Sequence, residues 1–188
     1  GKWYLDFTNV DGFRLDAVKR IDFSFFTRWL KELRNYSNRD LFAVGEYWHG
    51  DVNKLLHYLE VSNYCMSLFD VTLHFKFHYI SSSNGTFDMG SIFEDTLVKK
   101  APDYAVTFVE NHDSQPGQSL QSSVANWFKP IAYALILLRQ YGYPCVFYGD
   151  YYGIPEYNVD SFKDVIDKMI KVRKELMYGK EHNYFDDN

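Results

Sequence analysis

Gly12-Phe13-Arg14-Leu15-Asp16-Ala17-Val18-Lys19 reads as a buried strand that ends in charge. Gly12, Phe13, Leu15, Ala17 and Val18 are small or apolar, and between them stand Arg14 and Asp16. In a strand, residues two apart share a face, so the guanidinium and the carboxylate sit together. A carboxylate on an apolar strand needs a partner, and a same-face Arg would hold it ionised and depress its pKa. An ionised, held carboxylate at a strand end suits a covalent nucleophile or an electrostatic stabiliser. A structural ion pair beside a turn would use the same residues, and the octapeptide alone leaves both readings open.

Two later stretches shift the balance. Leu41-Phe42-Ala43-Val44-Gly45-Glu46 is a second short apolar run ending in a carboxylate. Ala105-Val106-Thr107-Phe108-Val109 leads into Glu110-Asn111-His112-Asp113 and is a third. Strands that each deliver an acidic residue at their C-terminal end match the habit of parallel α/β barrels, where the chemistry sits at the strand ends.

In their order, these stretches resemble the catalytic regions of the α-amylase family, glycoside hydrolase family 13. Gly12–Lys19 resembles the nucleophile region, Gly45-Glu46 the acid/base region, and 108–113 the region of the third carboxylate. Glu46-Tyr47-Trp48, Trp127-Phe128-Lys129-Pro130 and the run from Tyr143 to Gly153 are especially similar to bacterial liquefying members. The resemblance covers essentially the whole chain.

Composition agrees with a globular domain. The chain has 188 residues, enough for one domain with a sizeable core. Its formal net charge of -5, without a basic or acidic tail, argues against a nucleic-acid or anionic-membrane partner. Aromatics make up 19% of the residues, which suits both a bulky core and a cleft of flat rings that stack on sugars. The two cysteines, Cys65 and Cys145, are expected as buried free thiols, and no Cys/His spacing resembles a zinc site. No apolar run reaches membrane-spanning length. No signal peptide is visible, but Gly1 does not read as a natural start, so that absence is uninformative. The compartment stays open, with secretion slightly favoured.

Strand and helix signals alternate along the chain. Residues 2–7 read as a last helical turn, followed by a strand over 12–16 and a helix over 24–35 capped by Ser24. A strand over 41–44 precedes a helix capped by Asp51, with Val52, Leu55, Leu56 and Leu59 inward. The spacing then predicts a strand over 66–70, a helix over 72–80, a loop over 81–86 and a helix over 88–99 with Met89, Ile92, Phe93 and Leu97 inward. A strand over 105–109 follows, then a polar loop over 114–123 and a helix from Pro130 to Gln140 stopped by Gly142. The last elements are a strand over 145–148 and an amphipathic helix over 161–177, with a polar lead-out over 181–188. Strands alternating with helices give a parallel α/β sheet, open or barrel-like. The resemblance decides for a partial TIM (β/α)8 barrel, its strands four to eight. It implies that residues 1–188 form the C-terminal part of the catalytic barrel. The first strands, the loop domain after the third strand and the C-terminal β-sandwich would lie outside this chain, and the segment alone is expected to be inactive and poorly folded.

Breaking a glycosidic bond with retention needs two carboxyl groups about 5–5.5 Å apart, one to attack and one to exchange a proton. Asp16, partnered by Arg14, fits the nucleophile. Glu46, followed by Tyr47 and Trp48, is expected in an apolar, aromatic setting that suits an acid. The resemblance makes Asp113 the third carboxylate, gripping sugar hydroxyls beside His112, and places Lys19 on the leaving-group side. Trp48 is divided evenly between core packing and stacking on sugar. Gln115, Gln118, Asp150 and Tyr151 are candidate cleft residues, and Glu110 is given no role. The resemblance also implies a structural calcium. At this position the family usually has His, which supplies a backbone carbonyl; here Arg20 would supply it, with most ligands outside this chain.

The resemblance thus implies a retaining endo-hydrolase of α-1,4-glucans such as starch or glycogen, with a monomer expected at full length. A glucan transferase of the same family would use the same carboxylates. A glucan-binding relative without activity is opposed by the presence of all three. A nucleotide-binding α/β domain is opposed by the lack of a Gly-rich phosphate loop.

Overall fold

In a computed structural model, residues 1–83, 85–182 and 184 are described. Asn84 of the expected 81–86 loop and most of the polar lead-out lie outside the described residues. The strands are β1 (Gly12–Leu15), β2 (Phe42–Gly45), β3 (Ser67–Phe69), β4 (Ala105–Phe108) and β5 (Tyr143–Cys145). The helices are α1 (Lys2–Thr8), α2 (Phe23–Ser37), α3 (Val52–Val61), α4 (Val71–Ser82), α5 (Leu97–Lys100), α6 (Lys129–Leu137), α7 (Tyr148–Tyr152) and α8 (Lys163–Glu175). Short 3-10 turns at Val18–Arg20, Met89–Ser91, Pro102–Tyr104 and Pro155–Tyr157 complete the path.

All neighbouring strands pair in parallel in the order β1-β2-β3-β4-β5. Parallel neighbours joined through helices require each crossover to pass over one face of the sheet. The register puts Arg14 beside Val44 and Ser67, and Phe69 beside Val106 and Tyr143, so these side chains share the concave face. Leu15, Ala43, Leu68 and Ala105 alternate with them and are buried under the helices. The sheet curls: the rings of Phe42 on β2 and Tyr143 on β5 meet at 5.7 Å across two intervening strands. A twisted parallel sheet of this curl, with helices on its convex side, is the expected partial TIM barrel.

Local chemistry accounts for the boundaries. Asp22, and not the expected Ser24, caps α2 by accepting the Ser24 N–H at 2.8 Å. Asp51 caps α3 as expected, accepting the Asn53 N–H at 2.9 Å. The strand expected to reach Asp70 stops at Phe69, because Asp70 turns to cap α4. The expected helix over 88–99 is not continuous. Asp95 takes a left-handed φ of 51°, and Thr96 starts α5 afresh with its hydroxyl accepting the Lys99 N–H. The fifth strand lies earlier than expected, at 143–145, because Phe147 donates its N–H to the Tyr133 hydroxyl at 3.4 Å and leaves the ladder. Helix α6 ends at Leu137 and α8 spans 163–175, each shorter than expected. Both cysteines are free, yet neither is fully buried: Cys65 is half-buried, and Cys145 is exposed on the concave face.

Candidate active site

Asp16 leaves β1 just before Ala17, whose φ of 44° is left-handed and costs a residue with a Cβ about 1–2 kcal/mol. Three interactions with the end of β2 hold that turn. The Glu46 N–H donates to Leu15 O at 2.9 Å, the Val18 N–H to Glu46 O at 3.0 Å, and the Ala17 N–H to Glu46 Oε2 at 3.0 Å. Gly45 lets the elements close, since a Cβ there would stand 2.7 Å from Met66 Sδ and 3.2 Å from Val18.

Arg14 joins the two carboxylates. One terminal nitrogen donates to Asp16 Oδ1 at 2.6 Å, and the other lies 3.3 Å from Glu46 Oε2. The Asp16 side chain is 74% exposed and that of Glu46 only 8%. Asp16 therefore stands in the cleft while Glu46 is set into its wall. The expected apolar setting of Glu46 needs correction, because its immediate partners are the Arg14 guanidinium and the Ala17 amide. Tyr47 turns away to pack on Tyr58 at 5.1 Å.

Asp113 reaches the same place from β4. The Asn111 side-chain oxygen accepts the N–H groups of Asp113 at 3.0 Å and Ser114 at 2.8 Å, which makes a tight turn after the strand. Asp16, Lys19, Arg20, Glu46, Trp48 and Asp113 line one cleft of about 250 Å³. Lys19 is tied to the Trp48 carbonyl at 2.7 Å. Trp48 serves core and cleft together, packing on His74 and Phe108 at 5.5 and 6.2 Å. An adjoining hollow of about 170 Å³ holds Arg14, His112, Cys145 and Tyr148. His112 Nε2 lies 3.2 Å from Asp113 Oδ2. Gln115 closes the turn only through its backbone, donating to Asn111 O at 3.1 Å, and its side chain lines neither hollow. A wider hollow of about 390 Å³ near Arg139, Arg173 and Lys180 lies away from the strand ends and gathers no comparable chemistry.

The family described as "Alpha amylase, catalytic domain" matches residues 1–183. The chain belongs to the α-amylase family. It is 58% identical over 186 residues to an α-amylase of Geobacillus stearothermophilus, covering 99% of this chain and 34% of that protein. It is 48% identical to the α-amylase of Bacillus licheniformis, covering 99% and 37%. It is 47% identical to the glucan 1,4-alpha-maltohexaosidase of Bacillus sp. (strain 707), covering 99% and 36%. The chain thus spans about a third of the length of these relatives. Among solved structures, an Anoxybacillus α-amylase superposes with a TM-score of 0.67 at 24% identity, covering 93% of this chain and 42% of that one. That likeness supports the barrel fold.

Among the described residues of this α-amylase-family chain, no three His, Cys, Asp or Glu side chains are grouped to hold a metal ion. Calcium takes six to eight oxygens, so a single carbonyl from Arg20 does not make a site. The residues present do not by themselves fit the expected calcium. Among the described residues, no helix is long and apolar enough to cross a membrane.

Three residues need reassignment. Asp150, a candidate for the cleft, is fully buried and bound to Lys129 and to the Tyr133 hydroxyl. Glu110, given no role, is also buried. It accepts the Ser114 hydroxyl and the Val124 N–H, the latter at 3.0 Å, with Lys129 Nζ at 3.9 Å. Burial pushes its carboxyl up to about 7, against the pull of the Ser114 hydrogen bond and the Lys129 charge. Tyr151 donates its hydroxyl to Asp167 at 2.7 Å. The signal for this network lay in Lys129, a charge set inside the apolar run from Trp127 to Leu138.

Proposed function

We propose that this chain carries the catalytic carboxylates of a retaining glycosidase that cleaves internal α-1,4-glucosidic bonds of starch- or glycogen-type glucans. One observation carries the reading: the single guanidinium of Arg14 meets Asp16 at 2.6 Å and Glu46 at 3.3 Å at adjacent strand ends. Two carboxylates drawn onto one cation suit the short separation of retention, about 5–5.5 Å, better than the 6.5–9.5 Å of inversion. The names of the relatives support an α-glucan as substrate.

Asp16 attacks the anomeric carbon while the bond to the leaving oxygen breaks, and Glu46 gives that oxygen its proton. Glu46 then takes a proton from water, whose oxygen displaces Asp16 and releases the sugar. Glu46 Oε2 is engaged by Arg14 and the Ala17 amide, so Oε1 carries the travelling proton. Asp16 Oδ1 is bound to Arg14, which leaves Oδ2 for attack. Asp113 and His112 grip hydroxyls of the reacting sugar, while Lys19 and Trp48 border the leaving-group side.

The test follows the enzyme that contains this chain on soluble starch, reading reducing ends and the anomer first released. Reducing ends should rise in proportion to bonds cleaved, and the first product should keep the α configuration. Glu46→Gln should lower turnover about 10²–10⁴-fold, and Asp16→Asn, which removes the nucleophile, at least as much. Near-normal turnover in either variant removes its role, and a β product removes retention. New or cyclic oligosaccharides without reducing ends would mean transfer in place of hydrolysis.

A further inference from the structure

Glu110 stands two residues past the end of β4 and three before Asp113, and both oxygens of its carboxylate are used. Oε1 accepts the Ser114 hydroxyl, and the Ser114 oxygen in turn accepts the Asn111 N–H at 3.0 Å. Asn111 then holds the N–H groups of Asp113 and Ser114. Hydrogen bonds through Ser114 and Asn111 therefore connect the buried carboxylate to the Asp113 backbone. Oε2 accepts the Val124 N–H at 3.0 Å, which pins the far end of the polar loop that begins at Ser114. Ser114 O accepts the Ser122 N–H at 3.0 Å, so the loop is closed on itself as well.

The network also crosses to the next strand. Lys129 Nζ lies 3.9 Å from Glu110 and is bonded to Asp150, which accepts the Tyr133 hydroxyl at 2.7 Å. The Tyr133 hydroxyl accepts the Phe147 N–H, just where the chain leaves β5. Phe147 and Tyr148 line the hollow that holds His112. Glu110, Ser114, Lys129, Tyr133 and Asp150 are each no more than 2% exposed. Such a set, once satisfied, favours one arrangement, because water cannot replace a lost partner.

We propose that Glu110 is a positioning residue for the reaction. It fixes Asp113 and His112 through Ser114 and Asn111, and it ties their turn to the β5–α7 loop through Lys129, Asp150 and Tyr133. The inference rests on the reading of Asp113 as a group that holds the reacting sugar. Misplacing such a group by even a fraction of an ångström weakens contacts made in the transition state more than those made on binding.

A double-mutant cycle tests it in the enzyme that contains this chain, with an activated maltooligosaccharide as substrate. Ser114→Ala breaks the link to Asn111 and leaves Glu110, Lys129 and Asp150 in place. It should lower kcat about tenfold or more with KM changed less than threefold. In the Asp113→Asn background the same change should cost less than threefold, because its route of action is already gone. Glu110→Gln can still accept from Val124 and donate to Ser114, so it should keep kcat within about threefold, whereas Glu110→Ala should behave like Ser114→Ala. If Glu110→Ala does not fold, the Ser114 cycle alone decides. Equal penalties for Ser114→Ala in the two backgrounds, or no penalty beside an intact Asp113, would overturn the inference while leaving the glycosidase reading standing. A wild-type enzyme without activity on α-1,4-glucans would overturn both.

Discussion

Arg14 and Glu110 are single residues that organise two different environments. Arg14 works in the open cleft, where it is 36% exposed and its ion pair with Asp16 gives modest stability but defined geometry. Glu110 works in the dry interior, where a charge is costly unless it is partnered. Its raised carboxyl gives a sign that can be measured. As pH rises from about 4.5 to about 7, the unfolded chain has released this proton while the folded chain retains it. Stability therefore falls through that window and stays lower above it. His74 acts the other way. Held between Val109 O and the Ser122 hydroxyl, it is pushed down to about 4 by burial, so the fold gains stability as pH rises towards 6.5. The comparison of wild type with Glu110→Gln isolates the first effect. Denaturant unfolding across pH 4–8 should show the variant gaining on wild type from about pH 4.5 to 7, by on the order of 3 kcal/mol. A difference that does not change with pH would contradict the burial of an ionisable Glu110.

At the scale of the element, Asp70 shows how one carboxylate joins two helices. It is fully buried where β3 meets α4, and it accepts the Leu73 N–H at 3.0 Å and the Thr72 hydroxyl at 2.7 Å. It also accepts the Leu97 and Val98 N–H groups that open α5, at 3.2 and 2.8 Å. Asp70→Asn keeps the volume but turns one acceptor into a donor facing those amides. It should cost about 1–3 kcal/mol, read as a lower unfolding midpoint, with the cleft unchanged. An unchanged midpoint would mean that α5 is held by other contacts. The strand ends that carry Asp16, Glu46 and Asp113 were legible in sequence because short apolar runs stop at a charge. Helix α4 was read over 72–80 and spans Val71–Ser82, although residues on most of its circumference are buried and its apolar periodicity is weak. The broken helix near Asp95 kept its apolar spacing while the backbone turned, and spacing alone does not report φ. Asp150 was misplaced for the same kind of reason. Its strand was read as reaching Tyr148, whereas β5 ends at Cys145 and α7 carries Asp150 inward.

For the whole molecule, the curl of the sheet matters most. It brings the ends of β1, β2 and β4 around one concave face, so that carboxylates nearly a hundred residues apart in sequence, Asp16 and Asp113, border one cleft. The buried network behind that face binds the ends of β4 and β5 to α6 and α7, so the cleft stands on packed elements. The central proposal is that Asp16 forms the covalent bond and Glu46 moves the proton. The most direct measurement traps that bond: the Glu46→Gln enzyme is treated with an activated maltosyl fluoride, digested and mapped by mass spectrometry. The account predicts one added glycosyl group on the peptide containing Asp16, lost when Asp16→Asn is introduced. A label on Asp113 or another carboxylate, or full turnover of the fluoride with inversion and no adduct, would contradict it.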